Sequence, residues 1–296
     1  MNSLHTKLRS VSTIIITVIA AADIAAMILL TSCVKHSAAK TNAATTQSAP
    51  VVRVGMECAF APNNWEESSV SETNLHVENH NGFYAEGYDV QIAKLVAKNM
   101  GAAVQIVKLP WNGLLPALDA GQIDLIVSGM LDSKEHLQAA DFSSSYAIAK
   151  TEYAVMVQKN SRYVHAQQLS DLSGASLLGQ KGTKLDSVID QVPGVNHVSP
   201  VDSIPNMLAR LNRNTVDGII INLDSANAYL KANPDLAVID FAEGKGFVLD
   251  FSGICVGVRK GDAAMLAKVN KALASISEKQ RAALMAVAVE KAGVQN

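Results

Sequence analysis

Residues 124–143 read DLIVSGMLDSKEHLQAADFS. An apolar run ends at Ser128-Gly129, and Asp132-Ser133-Lys134-Glu135 then has the form of a capped helix start. A strand that stops at a glycine and turns into a helix N-terminus makes an anion pocket, because free N–H groups and the helix dipole both favour negative charge. HVENH (76–80) sets two histidines four apart around Glu78, a zinc spacing if the segment is helical. Its surroundings, NLHVENHNGFY, read instead as a loop carrying solvated histidines, so no metal is expected. GQKGTK (179–184) is too short and wrongly spaced for a phosphate-binding P-loop. No nucleophile elbow and no Ser-His-Asp order stand out. Cys58 and Cys255 read either as two buried thiols or as a disulfide, and spacing does not choose between them.

The elements that must position these residues alternate. VVRVGME (51–57), VQIVKL (104–109) and DLIVSGM (124–130) read as strands, with helices over 87–101 and 114–121 between them. The pattern then begins again. Strands are expected at 152–159, 175–180, 217–222, 236–240 and 253–260. Helices are expected at 184–192, 203–214 and 225–233, with two more closing the chain. Strands alternating with helices imply mainly parallel sheets flanked by helices, here in two α/β lobes of similar size. Ligands in such folds bind outside the carboxyl ends of the strands. The loops to inspect are therefore ECAFAPNNW, SGMLDSKEH, GQKGTK and INLDS.

Composition narrows the partners. The chain has 296 residues, 49% hydrophobic and 18% charged, with net charge −2. That suits a globular protein of two lobes, and neither sign of charge is in enough excess to imply nucleic acid. Aromatics at 5% argue against an aromatic-lined polymer groove. The N-terminal segment is of another kind. Lys7 and Arg9 precede the apolar run 13–30, and Leu-Thr-Ser-Cys (30–33) closes it. A basic start, an apolar core and small residues before a cut form a secretory signal. LTSC resembles the bacterial lipobox, which implies removal of residues 1–32 and lipidation of Cys33. The other reading is an uncleaved membrane anchor, against which Asp23 inside the run is costly in lipid. Residues 33–50 are small and polar and read as a flexible tether. Both readings place the folded part outside the cytoplasmic membrane.

From Val51 to the C-terminus the chain resembles the polar amino-acid-binding proteins of bacterial ABC importers. RVGMECAFAP (53–62), EGYDVQIAKLVAKNMG (86–101), WNGLLPALDAGQIDLIVSGM (111–130), DFSSSY (141–146) and GVRKGD (257–262) carry the likeness in their order and spacing. The resemblance implies a periplasmic-binding-protein-like clamp that closes on one small polar solute and hands it to ABC permease subunits. It implies lobe 1 from 51–148 and 248–296, lobe 2 from 149–247, a monomer, and no cofactor.

In that family a bidentate arginine and helix-terminus N–H groups hold the α-carboxylate of an amino acid, and a carboxylate and a carbonyl hold its ammonium. Carried over by position, the ligand-binding residues are Phe60, Gly129, Leu131, His136, Thr183, Lys184, Asn222 and Asp224. Several depart from the pattern. Leu131 stands where the family has a hydroxyl, His136 where it has arginine, and Asn222 where it has the acid that pairs with the ammonium. Lys184 is larger than the usual threonine or glycine, whereas Phe60, Gly129 and Thr183 conform. Trp111 is assigned to lobe packing. Three explanations stay open. Asp224 and perhaps Lys134 or Lys184 take over the missing charges; or the ligand has changed, to a peptide fragment, an amine or an organic anion, with Lys184 and His136 suited to a differently placed anion; or the clamp has lost binding and signals or adheres. An enzyme reading also exists, because cyclohexadienyl dehydratases share the clamp. They need a cleft acid tuned for proton transfer, for which Glu57 and Asp224 are the candidates.

Overall fold

The computed structural model describes residues 49–146, 152–239, 241–250 and 253–293. The expected signal segment, Cys33 and nearly all of the expected tether lie outside the described residues, as do residues 147–151.

The first lobe is built on strand β1 (Val51–Met56), whose β-branched residues pair in parallel with Ala103–Lys108 on one side and Leu125–Ile126 on the other. Its sheet is completed by Gly257–Arg259, antiparallel to both Leu125–Ile126 and Ala140–Phe142. Helix α1 (Tyr88–Asn99) covers one face, burying Tyr88, Val90, Ile92, Ala93 and Val96 at helical spacing. It ends at Gly101, whose φ of 72° is the left-handed turn that glycine adopts without strain. Helices Ala263–Ala274 and Glu278–Ala292 follow, each capped at its N-terminus, by Asp262 and Ser277 respectively.

The second lobe has its own five-stranded sheet. Ser176–Leu178 pairs in parallel with Asn196–His197 and Gly218–Asn222. Tyr153–Gln158 runs antiparallel to Gly218–Asn222 and to Leu236–Val238. Both sheets are thus mixed rather than uniformly parallel. Each has a separate apolar core, around Val54, Ile92 and Val258 in the first and Val155, Leu177 and Ile220 in the second.

Three expectations need correction. The segment 57–87 is not plain loop. It forms a small antiparallel sheet from Ala59–Phe60, Asn64–Glu67, Leu75–His76 and Tyr84–Glu86. Strands this short show no alternation to read. The helix expected from Asp132 is one turn, His136–Ala139. Asp132 accepts a hydrogen bond from Gly253 N (3.1 Å), which ties it to the returning strand instead of the helix. The helix expected at 184–192 is an α-turn, Lys184–Ser187, continued as a 3₁₀ turn through Gln191.

Candidate functional site

The loops that follow the strands meet in one cavity between the lobes. Glu57, Phe60, Trp111, Gly129, Leu131 and His136 line it from the first lobe. Tyr153, Gln180, Thr183, Lys184 and Asn222 line it from the second.

The first-lobe wall hangs from one buried carboxylate. Asp89, fully buried at the start of α1, accepts hydrogen bonds from Asn64 Nδ2 (2.7 Å) and Tyr146 Oη (2.8 Å). Asn64 in turn accepts from Cys58 N (2.7 Å), fixing the loop that presents Phe60. Tyr146 Oη accepts from Gly129 N (3.2 Å), fixing the other loop. Burial pushes the Asp89 carboxyl up to about 6 despite these bonds. Gly129 has φ 65°, and a Cβ there would stand 2.6 Å from Phe60 Cε1. Only glycine lets the aromatic ring lie against this turn.

Glu57 closes the base of the cavity. It is 6% exposed, its N–H donates to Ser128 Oγ (3.0 Å), and its Oε1 accepts from Gln180 Nε2 (2.7 Å) on the opposite lobe. Burial drives its carboxyl up to about 7, against the opposing pull of the Gln180 bond and the Lys108 charge. Trp111 Nε1 reaches across to the Gly182 carbonyl (3.0 Å).

The residues singled out from sequence separate into two groups. Phe60, Gly129, Leu131, His136, Thr183, Lys184 and Asn222 all line the cavity. Asp224 does not. It lies exposed one residue into the helix Leu223–Ala232, away from the cavity wall. Lys134 is also exposed and off the cavity wall. Trp111 packs against the apolar cluster around Leu114 and Met130, as expected, and also lines the cavity. Thr183 spends its hydroxyl locally, donating to Gln180 O (2.8 Å) and capping the Lys184–Ser187 turn through Leu185 N (3.1 Å).

The expected anion grip is already engaged. Lys184 Nζ sits 3.2 Å from Asp250 and 3.5 Å from Glu135. His136 Nδ1 lies 2.8 Å from the Leu131 carbonyl, with the ring against Trp111 and Phe142. The one-turn helix behind them has no extended dipole to offer. Gln180 and Glu57 were the residues hardest to find by pattern. Their pairing spans the two lobes, and no local spacing signals it.

Elsewhere, the histidines of HVENH do not converge. His76 lies edge-on to Tyr84, whereas His80 bonds Glu66 (2.7 Å). Cys58 and Cys255 are buried free thiols, as the first of their two readings held. No helix of the described residues is long and apolar enough to cross a membrane.

Residues 69–286 match the family of bacterial extracellular solute-binding proteins, family 3. The chain is 30% identical over 168 residues to a probable histidine-binding protein of Campylobacter jejuni, covering 55% of this chain and 64% of that one, just under two thirds of its length. It is 30% identical over 193 residues to the ABC transporter arginine-binding protein 1 of Escherichia coli, covering 64% and 75%. Its fold superposes on an amino acid ABC transporter substrate-binding protein from Streptococcus pneumoniae bound to L-arginine, with TM-score 0.70, 21% identity, and 83% and 97% coverage. These relatives are named as binding proteins, so the dehydratase reading is set aside. The chain belongs to family 3 of the bacterial extracellular solute-binding proteins.

Proposed function

We infer that this protein captures an amino acid, or a related small polar solute, outside the cytoplasmic membrane and delivers it to the permease of an ABC importer. The relatives named for histidine and arginine support the amino-acid class. One observation carries the finer reading: Leu131, His136 and Asn222 line the same cavity as Phe60 and Gly129. The scaffold that grips a solute is retained, and the groups that grip an amino acid's two charges are remade. An imidazole cannot make arginine's bidentate fork, and an amide brings no countercharge. Losing a charged partner at a buried site typically costs about 2–5 kcal/mol. The basic start, the apolar run and LTSC support a lipid anchor on Cys33, and several acyl chains hold where one does not. In this reading the lobes part near residues 148 and 247 and close on the solute.

A thermal-shift screen of small solutes, followed by X-ray scattering on each hit, tests this function. A solute that raises Tm is expected to reduce the radius of gyration as the lobes close. Solutes that bind without any change in the radius would rule out the clamp.

A further inference from the structure

We propose that the solute is a small organic amine or amidine lacking a free carboxylate. This deepens the solute-binding reading above and rests on it. The cavity is rich in acceptors and poor in uncommitted cations. Glu57 is a buried carboxylate whose one side-chain bond to a described residue is through Oε1 to Gln180, leaving its other oxygen to meet a donor. His136 is fixed by its own backbone. A carbonyl can only accept, so Nδ1 donates to Leu131 O, and that donor is already spent before a ligand carboxylate arrives. Asn222 supplies only a neutral acceptor, so the countercharge for an ammonium falls to Glu57.

Charge points the same way. Lys184 is the lysine on the cavity wall, and two carboxylates, Glu135 and Asp250, already flank it. Glu57 lines the same cavity, and the Lys108 charge that acts on it is already paired with Glu66. An entering carboxylate would have to displace Glu135 or Asp250 from Lys184, and would find no bidentate partner. An entering ammonium or amidinium meets the Glu57 carboxylate and the Phe60 and Trp111 rings, whose faces attract cations. The charge of Glu57 adds a check. With its carboxyl near 7, the amine should bind better at pH 8 than at pH 6.

The test compares ligands that differ only in the carboxylate. The full chain is titrated calorimetrically at pH 8 with agmatine against L-arginine, cadaverine against L-lysine, and histamine against L-histidine. In at least one pair the decarboxylated member is expected to bind ten-fold or more tightly. Glu57→Gln should then weaken that amine at least ten-fold. His136→Arg should act in the opposite direction for the amino acid, weakening the amine while tightening its carboxylated partner. That reversal cannot come from loss of folding. If in every pair the amino acid binds as well as the amine or better, the proposal is overturned. It is equally overturned if no amine binds and a solute of another class stabilises and closes the protein, which leaves the solute-binding function intact. If no solute of any class binds, both readings fall.

Discussion

Gln180 Nε2 donates a 2.7 Å hydrogen bond to Glu57 Oε1, and the two residues belong to opposite lobes. A buried carboxylate with one neutral donor is under-compensated, which is why burial dominates its titration. The bond is therefore both a latch between lobes and a point of stress within the cleft.

That stress has a sign. The Glu57 carboxyl lies at about 7 in the folded protein against 4.5 when free, so the folded state holds its proton more tightly. The penalty is absent below pH 4.5, grows as pH rises through the interval and is complete above about 7. Asp89, at about 6 against 3.8, adds to it over a lower window. Stability should fall between pH 4 and pH 7.5 on account of these two groups. Glu57→Gln should remove the Glu57 share, on the order of 3 kcal/mol at most. Thermal melts should show the variant above wild type at pH 8, by several degrees, with the gap closing at pH 4.5. A gap independent of pH would contradict the buried charge.

His197 works in the opposite sense. Its Nε2 lies 2.9 Å from Asp186 and its Nδ1 2.8 Å from Asp190, tying the strand Asn196–His197 to the turn that begins at Thr183. Burial lowers its affinity for a proton, but the bonds to the two aspartates outweigh burial and raise it above 6.5. This stabilisation is full below pH 6.5 and is lost as pH rises through the folded value. His197→Gln should therefore lower Tm more at pH 6 than at pH 9. An equal loss at both would show that packing, not charge, is what the side chain supplies.

Gly129→Ala tests the joint of the first-lobe wall. The added methyl faces Phe60 at 2.6 Å with φ at 65°, so the turn is strained and the ring must move. A cost of about 1–3 kcal/mol is expected, read as a Tm drop of several degrees, together with weaker solute binding. Unchanged melting would mean the turn relaxes freely.

Restoring the family's charges should restore its ligand. His136→Arg, Leu131→Thr and Asn222→Asp together should create or tighten binding of an L-amino acid, while each alone should do less. A buried charge gains little until its partners are present, so the effects should exceed additivity. Calorimetry of the eight combinations measures this. Full effect from one change alone would indicate that the other two positions do not contact the ligand.

How much of this was legible in the sequence depends on range. Gly87-Tyr88-Asp89, the SGM turn and the loops after strands were readable, because glycine turns and strand ends mark themselves locally. Seven of the eight ligand positions transferred by spacing line the cavity, and the exception, Asp224, fails by one helical step beyond the strand end. The sheet within 57–87 was not readable, since strands such as Leu75–His76 carry no period. Trp111 packs in the first lobe as read, but that the same ring also borders the cleft does not show in an aromatic before a short helix. Lys184 read as a free cation because Glu135 and Asp250 are 49 and 66 residues away in sequence and adjacent only in space. Glu57 came into view only as a candidate acid, and its partner Gln180 not at all.

The central question is whether the cleft holds a free amino acid by both of its charges. The direct measurement is calorimetric titration of the wild-type chain with each common L-amino acid at neutral pH. With Leu131, His136 and Asn222 in the cavity and Lys184 held by Glu135 and Asp250, none should bind at micromolar affinity. Micromolar binding of any of them would contradict the account and show that Lys184 leaves its carboxylates to grip the ligand.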